Sequence, residues 1–231
     1  MSIKGFQGTS LLDFPGRVAS LVFYGGCNLS CPYCHNPSLV ETPELYPDIP
    51  VDEVLSQLRQ RQGFIDGVVI SGGEATLDPA LPQLLHQIKQ LGLQVKLDTN
   101  GLRPQVLAAL LQKQLIDFVG LDIKTSLSRY AELHRSTVDV SAIQESVDLL
   151  IASAVEVEFR TTCVPGLVEE EDIRMIGEIL KGQAGWVLQQ FVPDYAMAIQ
   201  MRDLAPHSER KLQQLAAVAG EYVEQVVIRG L

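Results

Sequence analysis

The chain has 231 residues, of which 46% are hydrophobic, and its formal net charge at pH 7 is −10. This size and composition suit one enzyme domain over residues 1–231, and the acidic balance excludes a nucleic acid partner, which requires clustered lysine and arginine. No apolar run reaches the roughly 18 residues that a membrane span needs, and the N-terminal residues lack a secretory signal, so we expect no membrane partner.

Short strands alternate with helices along the chain. Buried strands rich in β-branched or aromatic residues are predicted at 18–24, 67–71, 93–98, 116–122, 155–161 and 186–191, with a terminal strand at 225–229. Helical patterns lie between them at about 51–62, 79–91, 103–114, 140–152, 169–181 and 208–219. Strands separated by helices of this length form right-handed βαβ units. The sequence therefore predicts an α/β fold with a parallel sheet, closed partly or completely into a barrel.

Three cysteines, Cys27, Cys31 and Cys34, lie within eight residues, in the loop 25–37 after the first predicted strand. Soft thiolates on one short loop favour zinc, copper(I) or iron–sulfur. Structural zinc is normally bound by four protein ligands. The remaining cysteine, Cys163, is far away in sequence and is interpreted as a small buried hydrophobic residue. The spacing favours a four-iron cluster, with zinc as the alternative. Iron-bound thiolates also favour a cytoplasmic location.

Polar or glycine-rich residues end the next four predicted strands. Turn chemistry alone explains Asn100-Gly101 at one strand end, but not the same pattern at four successive ends. Because the carboxyl ends of parallel strands meet at one face of a barrel, these residues should lie beside the cysteine loop. They are Gly72, Gly73, Glu74, Asp98, Thr99, Asn100, Asp122, Lys124 and Arg160.

Several motifs then resemble a known superfamily over essentially the whole chain. Cys-x3-Cys-x2-Cys after the first strand, with Gly-Gly-Glu after the second, resembles the radical S-adenosylmethionine (SAM) superfamily. The segments Asp13-Phe14-Pro15-Gly16, Cys-His-Asn-Pro, Leu-Asp-Thr-Asn-Gly and Leu-Asp-Ile-Lys resemble the activating enzymes of glycyl radical proteins. The likeness is greatest to the single-cluster activating proteins of anaerobic ribonucleoside-triphosphate reductase. One departure is Ala75, where proline is expected.

The resemblance implies a partial (β/α)6 TIM-like barrel of the radical SAM type, and it implies roles for the residues above. Cys27, Cys31 and Cys34 would hold three irons of a [4Fe–4S] cluster, while SAM chelates the fourth iron. The remaining implied SAM contacts are Gly72, Gly73 and Glu74 at the methionine amino group, Tyr33 beside the adenine, Lys124 at the methionine carboxylate, and Asn100 and Arg160. For Glu74 the alternative is that it holds the turn.

Asp98 and Asp122 would face each other at neighbouring strand ends, where two carboxylates repel unless a proton or a cation lies between them. In similar activating enzymes such a pair holds a monovalent cation. The resemblance implies the same site here, with backbone carbonyls near Thr99 and Gly120 contributing. The alternative is that each aspartate caps the turn that follows it.

The implied reaction is reductive cleavage of SAM and hydrogen abstraction from a glycine Cα of a partner enzyme, a step that requires no acid–base side chain. The implied partners are the large subunit of anaerobic ribonucleotide reductase and a flavodoxin or ferredoxin-type reductant. Asp13, Phe14, Pro15 and Gly16 would dock the partner at the rim of the active-site mouth. The alternative is that Phe14 and Pro15 plug the bottom of the barrel.

Two other functions stay open at this point. A 7-carboxy-7-deazaguanine synthase is the alternative enzyme, although His35 and Asn36 stand where those enzymes usually carry aspartate and threonine. The non-enzymatic alternative is a zinc-stabilised binding module.

Overall fold

The strands lie side by side in the same order as in the chain. The structure is a computed structural model, and it describes residues 1–134 and 138–231. Its one large sheet contains β1 (Ile3–Ser10), β2 (Ala19–Tyr24), β3 (Gly67–Gly72), β4 (Gln94–Thr99), β5 (Phe118–Asp122), β6 (Glu156–Cys163), β7 (Gly185–Gln190) and β8 (Gln225–Arg229). β1 is antiparallel to β2, and β2 to β8 are all parallel. No pairing joins β8 to β1 in the part of the chain described, so the barrel is partial and open on one side.

The helices connect the parallel strands, and all except two short ones of four and five residues bury one face. They are α1 (Pro37–Glu41), α2 (Val51–Arg59), α3 (Leu81–Gln90), α4 (Pro104–Gln112), α5 (Ser141–Ile151), α6 (Glu170–Ile179), α7 (Ile199–Arg202) and α8 (Glu209–Ala219). In α3, Leu81, Leu84, Leu85 and Ile88 recur at helical spacing, and all four are buried in the main hydrophobic core. No helix among the described residues is both long and apolar enough to cross a membrane.

The predicted strands and helices are confirmed, and one strand is added. Each of the seven predicted strands lies within two residues of an observed strand at both ends. β1 was not predicted, because Gly5 and Gly8 interrupt its apolar alternation and glycine is depleted in strands. It pairs with β2 as an antiparallel edge strand, which places the loop 11–18 at the amino-terminal ends of the parallel strands.

That loop closes the bottom of the barrel. Phe14 is fully buried, and its ring lies edge-on to the ring of Phe118 with the centroids 5.7 Å apart. Ala19, Leu21 and Val69 complete this small cluster. The prediction that Phe14 lies at the rim of the active-site mouth is therefore wrong, because burying a phenyl ring at the strand starts removes a large apolar surface from water. The alternative, a plug at the bottom, is confirmed for Phe14.

Candidate active site

The carboxyl ends of the strands surround a cavity of about 650 Å³. Most of the residues that the sequence selects line this cavity. They are Asp13, Cys27, Cys31, Tyr33, Cys34, Gly72, Gly73, Glu74, Asp98, Thr99, Asn100, Asp122, Lys124 and Arg160. Phe14, Pro15, Gly16 and Gly120 are absent from the described lining. The topology thus brings together side chains that are up to 147 positions apart, from Asp13 to Arg160.

The three clustered cysteines are free thiols that line the cavity. Burial raises the pKa of Cys27 to about 12 and that of Cys31 to about 11, and it shifts the pKa of Cys34 in the same direction. The nearby Lys124 ammonium opposes this effect at all three thiols. Since thiolates are the metal-binding form, a bound metal has to supply the remaining positive charge.

The donor set fits an iron–sulfur cluster. Among the described residues, no three His, Cys, Asp or Glu side chains converge on a point where a single metal ion could sit. A four-iron cluster does not require the thiolates to converge on one point, because each thiolate binds a different iron atom. Cys27, Cys31 and Cys34 around one cavity, next to a lysine, provide three such thiolates and leave space beside them.

The turn after β3 lies directly against the cysteine loop. The backbone N–H of Gly73 donates to the Tyr24 carbonyl over 2.8 Å, and that of Glu74 donates to the Gly26 carbonyl over 2.9 Å. A Cβ on Gly73 would come within 1.8 Å of the Gly26 oxygen, and one on Gly72 within 2.4 Å of the Tyr24 backbone. Gly72 and Gly73 are therefore required because any side chain would collide with the backbone of Tyr24 and Gly26. The sequence indicates only that these glycines leave room for SAM. Their contact with SAM stays a prediction.

Glu74 holds the turn, as the alternative interpretation had it. Its side chain is buried, and one carboxylate oxygen accepts hydrogen bonds from Thr76 and from Thr99 Oγ1. The other oxygen accepts from the backbone N–H of Asn100 over 2.8 Å. Burial raises the carboxyl pKa of Glu74, and these donors work against that rise. The carboxylate thereby fastens the β3 turn to the end of β4.

Five charged side chains form a continuous chain across β4, β5 and β6. Lys96 Nζ lies 2.9 Å from Asp98, and Arg160 bridges the two aspartates, with Nη1 3.0 Å from Asp98 and Nε 2.8 Å from Asp122. Lys124 Nζ lies 2.9 Å from the other oxygen of Asp122. Burial works to raise the pKa of Asp122, but Arg160 and Lys124 outweigh it and hold that pKa well below its usual range. Both aspartates are therefore within ion-pair distance of two basic side chains each.

Gly120 makes room for this bridge. A Cβ on Gly120 would come within 2.5 Å of Asp98 Oδ1 and within 3.0 Å of the guanidinium carbon of Arg160. The guanidinium occupies the space between the carboxylates of Asp98 and Asp122, where the family resemblance implies a monovalent cation. Arginine therefore already balances the charge of the two aspartates, and the cation site stays a prediction from the resemblance alone.

Two further predicted residues border the cavity. Tyr33 is buried between the cysteines, and its hydroxyl donates to the Lys124 carbonyl over 3.3 Å. Its position beside adenine stays a prediction. Asp13 lines the cavity from the loop between β1 and β2; its carboxylate accepts from Ser10 Oγ, and its backbone carbonyl accepts from Lys96 Nζ over 2.6 Å.

Sequence reasoning missed two basic residues of this site. Lys96 is only 2% exposed, although it lies inside a predicted buried strand between Val95 and Leu97. Arg229, at the end of β8, forms a two-pronged ion pair with Glu158 and also lines the cavity. A usable signal was present for Lys96, since a charge in a strand buried on both faces must have a partner.

The fold and the site together define a class. The sheet is open and mostly parallel, and it carries a three-cysteine loop and a glycine turn at its carboxyl ends. This is the arrangement of a radical SAM enzyme, and a sequence profile described as the Radical SAM superfamily matches residues 21–179. Enzymes of this class use a [4Fe–4S] cluster and SAM, which are the cofactors of this chain.

Two relatives narrow the class. The chain is 34% identical over 232 residues to MJ1227 of Methanocaldococcus jannaschii, a protein provisionally named a glycyl-radical enzyme activating enzyme, with 98% of this chain and 95% of that protein covered. It is 27% identical over 235 residues to the pyruvate formate-lyase 1-activating enzyme of Escherichia coli K12, with 97% and 92% covered. The chain belongs to the family of glycyl-radical enzyme activating enzymes. The zinc module and the deazaguanine synthase are therefore set aside.

Solved structures support the fold. The chain is similar to Streptococcus suis SuiB bound to S-adenosylmethionine, with a TM-score of 0.68 and 16% identity over 91% of this chain and 52% of SuiB. It is also similar to methylornithine synthase (PylB), with a TM-score of 0.64 and 14% identity over 90% of this chain and 63% of that one. This chain thus spans about half the length of SuiB, and identities this low show the fold alone.

Proposed function

We propose that this enzyme generates the glycyl radical of anaerobic ribonucleoside-triphosphate reductase. The observation that carries the activity is that one cavity gathers the three cysteines, the Gly72-Gly73 turn and Lys124. The choice of target rests on the likeness of the motifs around Asp13, Cys34 and Lys124 to the activating proteins of that reductase.

Different residues of the cavity would bind the cluster and SAM. When bound, the cluster and SAM supply a carbon radical that can remove a hydrogen atom from a glycine Cα. Cys27, Cys31 and Cys34 would hold the cluster, and Lys124 would present its ammonium to the carboxylate of SAM while Asp122 fixes the lysine side chain. Tyr33, which is buried in the cavity lining, would lie against the adenine and keep water away from it.

The open side of the barrel supports entry of a peptide loop. Leu12 and Asp13 line the cavity from the β1 edge, and Gln189, Arg229 and Gly230 line it from the β7–β8 edge. Leu11 and Leu12 are neighbours in sequence and are 72% and 89% exposed, and two adjacent exposed leucines suit contact with another protein. A glycine loop of the partner would therefore enter between these two edges.

The proposal also places the enzyme in the cytoplasm with a flavodoxin or ferredoxin-type electron donor. A cluster held by three thiolates is stable in a reducing compartment. Cleavage of SAM requires one electron at a time, and proteins of those two classes deliver single electrons.

The test is glycyl radical formation measured by electron paramagnetic resonance. The reconstituted enzyme, SAM and a reductant are incubated without oxygen with either the reductase large subunit or pyruvate formate-lyase, and 5′-deoxyadenosine is measured in parallel. We expect a glycyl radical signal on the reductase alone, and none with a Cys31→Ala variant. A signal on pyruvate formate-lyase alone would overturn the target and leave the enzyme class intact.

A further inference from the structure

Asn100 points its side-chain amide at a cluster cysteine. Its Nδ2 lies 3.8 Å from Cys27 Sγ and donates to Asn28 Oδ1 over 2.8 Å. The first distance is within the range of a long N–H···S hydrogen bond. Asn100 is only 5% exposed, so this contact is shielded from competing water.

The orientation of this amide is fixed by its surroundings. Asn100 Oδ1 accepts from the backbone N–H of Leu102 over 3.0 Å, and an N–H group can only donate. The oxygen must therefore face Leu102, which leaves the NH₂ group facing Cys27. The backbone N–H of Asn100 is held by the buried carboxylate of Glu74. Asn100 is thus held at its backbone and at both ends of its side-chain amide.

We propose that Asn100 tunes the reduction potential of the [4Fe–4S] cluster through Cys27. A hydrogen bond to a ligating sulfur withdraws electron density from it and stabilises the reduced, more negative state of the cluster. Cys27 Sγ also accepts a hydrogen bond from the backbone N–H of Leu29 over 3.4 Å, so the side-chain amide of Asn100 is a second donor to the same sulfur. Asn100 acts on the cluster through a ligand and is therefore a positioning residue.

The proposal assigns Asn100 a role different from a direct contact with SAM. It rests on the cluster that the family uses, and it is independent of which partner enzyme is activated. The same residue joins three parts of the site, because it contacts the cysteine loop, the Glu74 turn and the start of the segment after β4.

The test is the midpoint potential of the cluster, measured by redox titration with electron paramagnetic resonance on reconstituted protein without SAM or partner. Asn100→Asp keeps the acceptor for Leu102 and loses the donor, and Asn100→Ala loses the donor without adding charge. Asn36→Asp is the control, since Asn36 lines the same cavity and the substitution adds the same charge near Cys34. Iron content is measured for every variant.

We expect both Asn100 variants to shift the midpoint to a more negative value at unchanged iron content. Asn100→Asp should shift further than Asn36→Asp, because it loses a donor in addition to gaining a charge. An unchanged midpoint in Asn100→Ala, or equal shifts in the two aspartate variants, would overturn the proposal.

A second measurement applies even if the Asn100 variants lose the cluster. Asn28, Asn36 and Asn100 are the three asparagines of the chain, so asparagine labelled with ¹⁵N only at the side-chain amide marks few positions. In Asn36→Asp, spin-echo modulation of the reduced cluster should show coupling to a labelled amide nitrogen. Absence of that coupling would overturn the proposal, because no side-chain amide would then be bonded to the cluster.

Discussion

The four cysteines fall into two groups with different surroundings. Cys27, Cys31 and Cys34 face the cavity, whereas Cys163 is fully buried in the main hydrophobic core. Replacing any one of the first three by alanine should abolish both the four-iron spectrum and SAM cleavage, because two thiolates cannot retain the cluster. The measurement is iron content with visible absorption of protein purified without oxygen.

Cys163→Ala is the matched control for this prediction. It removes a thiol that the cluster does not use, so iron content and SAM cleavage should be unchanged. A requirement for Cys163, or retention of the cluster without one of the other three, would contradict the ligand assignment.

The individual site residues were largely predictable, but their partners were not. The spacing of Cys27, Cys31 and Cys34 and the polar strand ends point to a common cavity because parallel strands end at one face. Nothing in the sequence near Arg160 indicates that its guanidinium is shared between Asp98 and Asp122. That pairing depends on the register of β4, β5 and β6 and on the absence of a side chain at Gly120.

At the scale of elements, β4, β5 and β6 are linked by charge as well as by backbone hydrogen bonds. Arg160→Ala would leave Asp98 and Asp122 facing each other with only the lysines to balance them. We expect weaker SAM binding in this variant, partly restored by potassium or sodium, because a small cation can enter the vacated space. Arg160→Lys keeps the charge and should bind SAM more tightly than the alanine variant.

The measurement is the dissociation constant of SAM in potassium, sodium and tetramethylammonium chloride at equal ionic strength. The unmodified enzyme should be insensitive to the choice of cation. If it required potassium or sodium, a bound cation would act alongside Arg160, and the cation site predicted from the sequence would be supported instead.

The same ion pairs predict how stability depends on pH. The pKa of Asp122 in the folded protein is lower than its value of about 3.9 in an unfolded chain. Its pairing therefore stabilises the fold fully above about pH 4 and is lost as the pH falls through the folded pKa. The free energy of unfolding of the unmodified protein, relative to Asp122→Asn, should rise with pH between about 2 and 5.

Urea unfolding at a series of pH values checks this prediction. The difference in free energy of unfolding between the unmodified protein and Asp122→Asn should not change with pH from about 6 to 8, where Asp122 is ionised in both the folded and the unfolded state. A difference that first grows near neutral pH would mean that another group titrates with Asp122.

β1 was not predicted, and it shows which kind of strand a sequence pattern does not identify. A parallel strand that is buried on both faces is recognisable as a run of β-branched residues, such as Val68, Val69 and Ile70 of β3. An edge strand such as β1 is half exposed and tolerates Gly5 and Gly8, so neither composition nor period identifies it. Its antiparallel pairing follows from tertiary packing against β2.

For the whole molecule, the loop between β1 and β2 has a buried side and an exposed side. Phe14→Ala should destabilise the protein by about 3–5 kcal/mol, because it empties the plug against Phe118. Leu12→Ala should change the free energy of unfolding by less than about 0.5 kcal/mol, because Leu12 is 89% exposed. We expect Leu12→Ala to lower glycyl radical formation on the partner more than SAM cleavage without the partner.

Thermal unfolding, partner radical yield and 5′-deoxyadenosine release are measured on both variants. Equal losses of radical yield and SAM cleavage in Leu12→Ala would show that the loop does not dock the partner. A stable Phe14→Ala variant would show that the bottom of the barrel is closed by other residues.

The order of the strands in the sheet repeats their order in the chain, so no strand has to insert between two that formed earlier. During synthesis the sheet can therefore grow one neighbour at a time from β1 onward. The three thiols of the cysteine loop leave the ribosome well before Asn100 and Lys124, which close the cavity around them. Until then those thiols are in water and open to oxidation. Shielding of the three thiols from water thus depends on strands that are made after the cysteine loop.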